Sequence, residues 1–350
     1  MLVNKNFNKR FWNKKRVFIT GHTGFKGSWL FFFLINKGAI VHGFSKNYST
    51  NRSIFSNVKL KKKQTLSNIN NFTKLKKSIE KFKPNIIFHL AAQPLVIDSY
   101  KNSLETFQTN TMGTLNLLEI CKKIKSLKSI CVVTTDKVYD ENYKTKYFNE
   151  NHRLGGVDPY SSSKVAAEII CKSYFESFYK KNKISLLTVR AGNVIGGGDW
   201  SSNRLIPDIV RSSLYKKKLI VRNPNHIRPW QHVLDVLDAY LKLTEYSYNK
   251  NLGNSWNIGP NRKKEKKVIE VIKLFKNHMD FHYSIVKNKQ KLYESELLQL
   301  NNKKIFKEIG WKSNLNLSQS IEWTINWYTN KSKNINKIKN QINKYIQNFN

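Results

Sequence analysis

The chain has 350 residues, enough for two domains or one extended one, and its 40% hydrophobic and 13% aromatic content exclude a disordered polyelectrolyte. Lys and Arg total 62 against 23 Asp and Glu, a net charge of +39. The excess Lys is scattered among Asn and Ile rather than clustered with aromatics on one element. It therefore favours anionic small molecules without specifying nucleic acid as a partner. Three cysteines (Cys121, Cys131, Cys171) form no CxxC pair, which argues against a disulfide framework or zinc knuckle. The basic start MLVNKNFNKRFWNKK lacks the apolar segment of a secretion signal, and the longest apolar run, Trp29 to Ile35, is far below the roughly 20 residues that span a bilayer. A reduced, soluble, cytoplasmic protein is expected, with no membrane association.

In chain order, β-rich runs at Val17–Thr20, Ala39–Phe44, Asn85–Ala92, Ser129–Thr135 and Ile184–Arg190 alternate with helical stretches at Gly27–Lys37, Phe72–Phe82, Ser103–Ile124 and Tyr160–Tyr179. This alternation predicts an α/β fold: a Rossmann-like doubly wound parallel sheet covered on both faces. After Gly192 the pattern loosens, with Gly196-Gly197-Gly198 and three prolines, and loops are expected to dominate up to Trp230. Gln231–Tyr246 then looks helical, Asn254–Gly259 strand-like and Lys266–Met279 helical. The expected organisation is a dinucleotide-binding domain over residues 10–191, with 231–258 returning to it. A smaller, partly interleaved C-terminal substrate lobe takes 192–230 and 259–330, and a basic tail 331–350. In that tail Ile335, Ile338, Ile342 and Ile346 have helical spacing, which fits an appended helix as well as a frayed end.

Three motifs carry chemistry. The first strand runs into Gly21-His22-Thr23-Gly24-Phe25-Lys26-Gly27 and then a helix, the arrangement that lets backbone approach a pyrophosphate at a helix N-terminus. Tyr160-Ser-Ser-Ser-Lys164 places a phenol and an ammonium four residues apart, on one face of a helix. A free phenol with pKa about 10 is a poor base at neutral pH, and nearby positive charge lowers it. Thr134-Thr135-Asp136-Lys137-Val138-Tyr139 sits where its strand ends, the edge at which parallel sheets hold ligands. Its Asp–Lys pair is either a surface ion pair or a second acid–base couple, which a reaction that also removes water requires. The histidines His22, His89, His152, His226 and His232 show no metal-ligand spacing, so no metal is expected. His89, in an apolar strand, reads as a core residue, and His22 as equally a ligand contact or a buried group.

The GxxGxxG turn and YxxxK pair resemble the short-chain dehydrogenase/reductase superfamily. GHTGFKGSW, Ala91-Ala92-Gln93-Pro94-Leu95-Val96, TTDKVY, YSSSK, RAGNVIGGGDW, Asn203-Arg204-Leu205-Ile206-Pro207-Asp208 and RPWQHVL resemble, over residues 10–330, the CDP-glucose 4,6-dehydratase family of its extended, NAD-dependent epimerase/dehydratase branch. The resemblance implies a hydro-lyase that converts CDP-D-glucose to CDP-4-dehydro-6-deoxy-D-glucose, with NAD bound throughout. It implies Tyr160, Lys164, Thr135, Asp136 and Lys137 as catalytic residues. Tyr160 would take the proton of the 4-hydroxyl, Thr135 bond the 4-keto oxygen and Asp136 protonate the departing 6-hydroxyl. Lys137 would either remove the carbon-5 proton or stabilise the enolate. Cofactor contacts would come from Gly21, Thr23, Gly24, Phe25, Lys26, Gly27, Asn68, Ala91, Ala92, Gln93, Asn110, Tyr160 and Lys164, and substrate contacts from Asn193, Arg204, Leu205 and Arg228. The family also implies a homodimer or tetramer and a place in deoxysugar synthesis for bacterial surface polysaccharides such as lipopolysaccharide O-antigen.

Two departures stand out. After the second strand the segment Gly43-Phe44-Ser45-Lys46-Asn47 has no ribose-binding carboxylate, and Lys46 suits an NADP 2′-phosphate, so these residues leave NAD and NADP both open. Near Ser67-Asn68-Ile69 an Asn stands where an adenine-contacting Asp is expected. The competing readings are a sugar-nucleotide 4-epimerase, which would not need Asp136 and Lys137, and a non-catalytic dinucleotide sensor, which would not need Tyr160 and Lys164.

Overall fold

The computed structural model describes residues 9–47, 53–55, 63–142, 145, 147–260, 266–286 and 299–349; the start of the basic N-terminal stretch, residues 1–8, lies outside them. Six strands appear in chain order: β1 (Arg16–Thr20), β2 (Ile40–Ser45), β3 (Gln64–Leu66), β4 (Ile86–His89), β5 (Ser129–Val133) and β6 (Ser185–Ala191). With the edge strand Ser255–Ile258 they make a seven-stranded sheet in the order Ser255–Ile258, β6, β5, β4, β1, β2, β3. All neighbours are parallel. The order reverses between β1 and β4, where Thr20 faces His89 in register. A crevice opens at such a reversal, outside the carboxyl ends of the strands.

Burial on both faces explains why the central strands read as continuous apolar runs. Along β5, Cys131 and Val133 enter one core, and Ile130 and Val132 enter the other. The first core is completed by the helices Phe25–Asn36 and Val233–Ser247, the second by Phe72–Phe82, Gly113–Cys121 and Pro159–Tyr174. His89 spans Thr20 Oγ1 at 2.7 Å and Thr114 Oγ1 at 3.0 Å, a satisfied core histidine whose pKa burial pushes down to about 3, with the Lys164 charge adding. A third apolar cluster, away from the sheet, gathers Ile206, Ile209, Val210, Trp230, Phe275 and Ile321.

Several expected elements take a different form. Ser103–Ile124 is not one regular helix: Ser103–Phe107 passes through a π-turn at Gln108–Met112 into Gly113–Cys121. Tyr160–Tyr179 likewise becomes Pro159–Tyr174 followed by a π-turn, and Lys266–Met279 narrows to the helix Val268–Lys276. Loops make up much of the chain up to Trp230, but Leu205–Tyr215 within it is a helix. Its Pro207 lies in the first turn, where a missing N–H breaks no helical bond, and Ile206, Ile209 and Val210 share the buried face. The tail is no frayed end. Asn334–Phe349 is helical, with Ile338, Ile342 and Tyr345 fully buried against the core.

Candidate active site

The glycine turn shows why its residues are small. Gly21 has φ +74°, and a Cβ there would lie 2.6 Å from the Ala91 nitrogen; a Cβ on Gly27 would lie 2.1 Å from the Gly21 oxygen. Strand, turn and helix are thus packed at backbone distance. Gly24 caps the helix Phe25–Asn36 with no side-chain hydrogen bond. The first-turn N–H groups are thus left without a side-chain cap, an arrangement suited to a diphosphate. Thr23 is anchored by its hydroxyl, which donates to the Asn47 carbonyl at 2.6 Å.

His22 is a core residue rather than a ligand contact. It is fully buried, with Nε2 2.9 Å from Gln64 Oε1 and Nδ1 2.9 Å from Ser45 Oγ. Across the turn, Asn110 Oδ1 accepts from the Gln93 N–H at 2.8 Å, while Asn110 Nδ2 donates to the Gln93 carbonyl and to Ser163 Oγ. This fully buried Asn pins the Ala91-Ala92-Gln93 loop to the helix that carries Tyr160. Asn68 Oδ1 accepts from the Asn70 N–H, an Asx-type turn just after β3. Lys46 reaches Glu105 at 3.0 Å on the surface.

The helix Pro159–Tyr174 begins with a capping box: Asp158 accepts from the Ser161 N–H at 3.0 Å, and Pro159 occupies the first turn. That start fixes Tyr160 in the first turn, and Lys164 follows one turn later. Lys164 Nζ donates to the Val133 carbonyl at 3.1 Å, at the end of β5. Burial lowers its pKa to about 8, while the Cys171 and Glu168 charges oppose that shift. Burial raises the Tyr160 phenol to about 12; Asp136 and Asp158 add to the rise, and a Thr135 hydrogen bond and the Arg204 charge oppose it.

Beyond β5 the chain turns into a short 3-10 segment, Asp136–Val138. Thr135 Oγ1 donates to Asp136 Oδ1 at 3.0 Å, and Lys137 Nζ lies 3.5 Å from the same oxygen. The other oxygen, Asp136 Oδ2, is buried with no hydrogen-bond partner among the described residues. Such a group costs free energy unless a ligand completes it.

One cavity of about 370 Å³ joins these groups. Of the expected residues it brings together Phe25, Lys26, Thr135, Asp136, Lys137 and Tyr160 with Asn193, Arg204, Leu205 and Arg228 from the other wall. Lys164, on the helix Pro159–Tyr174 and bonded to the end of β5, and the remaining glycine-turn, Gln93-loop, Asn68 and Asn110 positions are not part of the lining. Lys26 reaches in from the glycine turn. Burial lowers its pKa to about 7, with the Arg204 and Lys164 charges adding and Asp136 opposing.

Sequence reasoning missed the device behind the β5 end of the cavity. Glu168 receives a two-pronged bond from Arg190, Nε to Oε1 and Nη2 to Oε2, both at 2.9 Å. Thr134 and Thr188 hydroxyls donate to the same carboxylate at 2.6 and 2.7 Å. Arg190 Nη1 also donates to the Tyr139 hydroxyl. Strand end, helix and β6 are thereby joined through one dry charge pair. The legible signal was Glu168 one helical turn after Lys164.

Residues 18–324 match the family described as GDP-mannose 4,6 dehydratase. The chain belongs to this family. Among its relatives, the CDP-glucose 4,6-dehydratase of Salmonella typhimurium is 41% identical, over 91% of this chain and 92% of that protein. The dTDP-D-glucose 4,6-dehydratase of Dictyostelium discoideum is 28% identical over 90% and 82%. The crystal structure of dTDP-glucose 4,6-dehydratase from Bacillus anthracis in complex with NAD aligns with TM-score 0.75 and 25% identity, covering 93% of this chain and 99% of that one. A UDP-glucose 4-epimerase of Thermotoga maritima has the same fold at TM-score 0.76 and 21% identity. Architecture alone therefore does not separate dehydratase from epimerase; the family match does. Among the described residues no helix is long and apolar enough to cross a membrane, and no cluster of His, Cys, Asp and Glu suits a metal.

Proposed function

We propose that the protein dehydrates CDP-D-glucose to CDP-4-dehydro-6-deoxy-D-glucose in the cytoplasm, with NAD as resident cofactor. The observation that carries this reading is Asp136, whose second carboxylate oxygen stands buried and unpaired beside Lys137, in the cavity that also receives Tyr160. An epimerase needs no second acid–base couple; elimination of water does. The uncapped helix N-terminus at Gly24 and the close-packed Gly21–Gly27 turn suit the NAD diphosphate, and Lys164 suits its ribose. When bound, NAD would accept a hydride from carbon 4 of the sugar and, after water has left across carbons 5 and 6, return it to carbon 6.

The chain's own residues handle protons. Tyr160 receives the proton of the sugar 4-hydroxyl, and because burial holds its phenol near 12, the step relies on positive charge nearby, with Arg204 already acting in that sense. Thr135 donates to the developing 4-keto oxygen. The ketone acidifies the hydrogen on carbon 5, where Lys137 takes the proton or stabilises the enolate. Asp136 gives its proton to the leaving 6-hydroxyl. Arg204 and Arg228, on the opposite wall, provide forked donors for the substrate diphosphate, with Asn193 and Leu205 beside them.

The decisive test supplies CDP-glucose to the NAD-loaded protein and follows loss of one water by mass and 4-keto product by alkaline absorbance. Formation of CDP-galactose, or no product, overturns the reading. A panel of UDP-, dTDP- and GDP-sugars tests the base.

A homodimer is the expected assembly. Leu104, Phe107 and Met112 on one helical stretch, and Ile169 and Phe178 on the other, are 37–71% exposed, an apolar surface that pairing with a second copy covers. Sedimentation should give twice the 41.1 kDa chain mass, and Ile169→Lys should give a monomer. The product's keto group and deoxygenated carbon 6 suit later steps of deoxysugar synthesis for surface polysaccharides such as O-antigen.

A further inference from the structure

The loop of residues 196–204, which brings Arg204 to the cavity, is held from outside both walls by the C-terminal helices. Trp327, on the helix Leu317–Thr329, packs against Gly197, where a Cβ would stand 1.9 Å from its Cγ. Trp29 Nε1 also donates to the Gly197 carbonyl at 2.8 Å. Next along the chain, the Tyr328 hydroxyl donates to the Asp199 carbonyl at 2.6 Å, and the Trp200 ring meets Tyr328 edge-on at 5.3 Å. The Asp199 side chain is 7% exposed. One oxygen accepts from the Ser201 N–H at 3.0 Å, and the other holds Arg204 Nη1 at 3.1 Å. The helix Asn334–Phe349 braces this arrangement: Gln341 Nε2 donates to the Trp323 carbonyl at 2.7 Å, and Lys337 sits 4.6 Å above the Trp327 ring.

We propose that Tyr328 and Asp199 are positioning residues for substrate binding, aiming Arg204 into the cavity so that affinity for the nucleoside diphosphate is set by the docked C-terminal helices. The inference rests on the reading of Arg204 as a diphosphate ligand. Its physical basis is the number of donors on a guanidinium. Asp199 occupies Nη1, which fixes the plane of the fork, while the other N–H groups remain directed away from it for phosphate oxygens. Without a fixed counter-ion the side chain, already 32% exposed, samples many rotamers, and ordering it falls to the substrate. The basic C-terminal segment thus acts on binding although none of its residues lines the cavity.

The test is a double-mutant cycle on the full, NAD-loaded chain, with CDP affinity measured by calorimetry and kcat and KM by turnover of CDP-glucose. Arg204→Met should weaken CDP binding by at least about tenfold; if it does not, the diphosphate reading of Arg204 falls, and the positioning proposal with it. Given an Arg204 effect, Tyr328→Phe should weaken CDP about fivefold and raise KM in parallel, with kcat changed by less than about twofold. Asp199→Asn should weaken CDP to a similar extent. In the Arg204→Met background Tyr328→Phe should have almost no further effect on CDP. Equal loss in both backgrounds, or unchanged CDP affinity with a lowered melting temperature alone, shows a merely structural tyrosine and overturns the proposal.

Discussion

The two walls of the cavity are built on opposite principles. The sheet wall, carrying Thr135, Asp136 and Tyr160 with Lys164 behind them, grows from buried parallel strands and is locked by the Glu168–Arg190 pair, whose side chains are each 3% exposed. The other wall, carrying Asn193, Arg204 and Arg228, is a run of short strands, a glycine-rich loop and one helix, held by contacts that reach across more than a hundred residues, as from Tyr328 to Asp199. The first wall is thus held by a pair closed within neighbouring elements, the second by bonds to segments far away in the chain.

Substitutions can break that comparison. Tyr160→Phe and Asp136→Asn should each lower kcat by about 10²–10⁴ with KM for CDP-glucose little changed, measured by product formation. A larger change in KM than in kcat would move these groups out of the chemistry. Glu168→Gln leaves Arg190 buried without its counter-ion, and chemical unfolding should show a loss of about 3–5 kcal/mol, larger than for Asp199→Asn on the other wall, where the partner Arg204 is partly exposed. Equal losses would remove the contrast between the walls.

Acid sharpens it further. His89 has a folded pKa of about 3 against 6.5 for the unfolded chain, so the unfolded state takes up protons first as pH falls. Its contribution is fully present above pH 6.5 and is lost progressively down to about pH 3. Unfolding midpoints measured from pH 7 to 4 should fall less steeply in His89→Gln than in the parent. The smallest expected effect is at the capping box, where Asp158→Ala should cost about 1 kcal/mol in stability, read by thermal unfolding, and leave CDP affinity unchanged.

The sequence by itself determined the sheet wall. Strand periodicity, the Gly21–Gly27 spacing and the four-residue interval from Tyr160 to Lys164 are local patterns, and local backbone geometry converts them directly into shared faces and strand ends. It also determined that Asp136 and Lys137 stand at a strand's carboxyl end. Only the tertiary structure decided that His22 is clamped by Gln64 and Ser45 and that Leu205–Tyr215 is helical. The same holds for the basic tail, folded into the helix Asn334–Phe349, and for Asp199, whose backbone carbonyl accepts from the Tyr328 hydroxyl. Those outcomes depend on which distant surface each segment buries, and no periodicity in the segment itself encodes the partner across the gap.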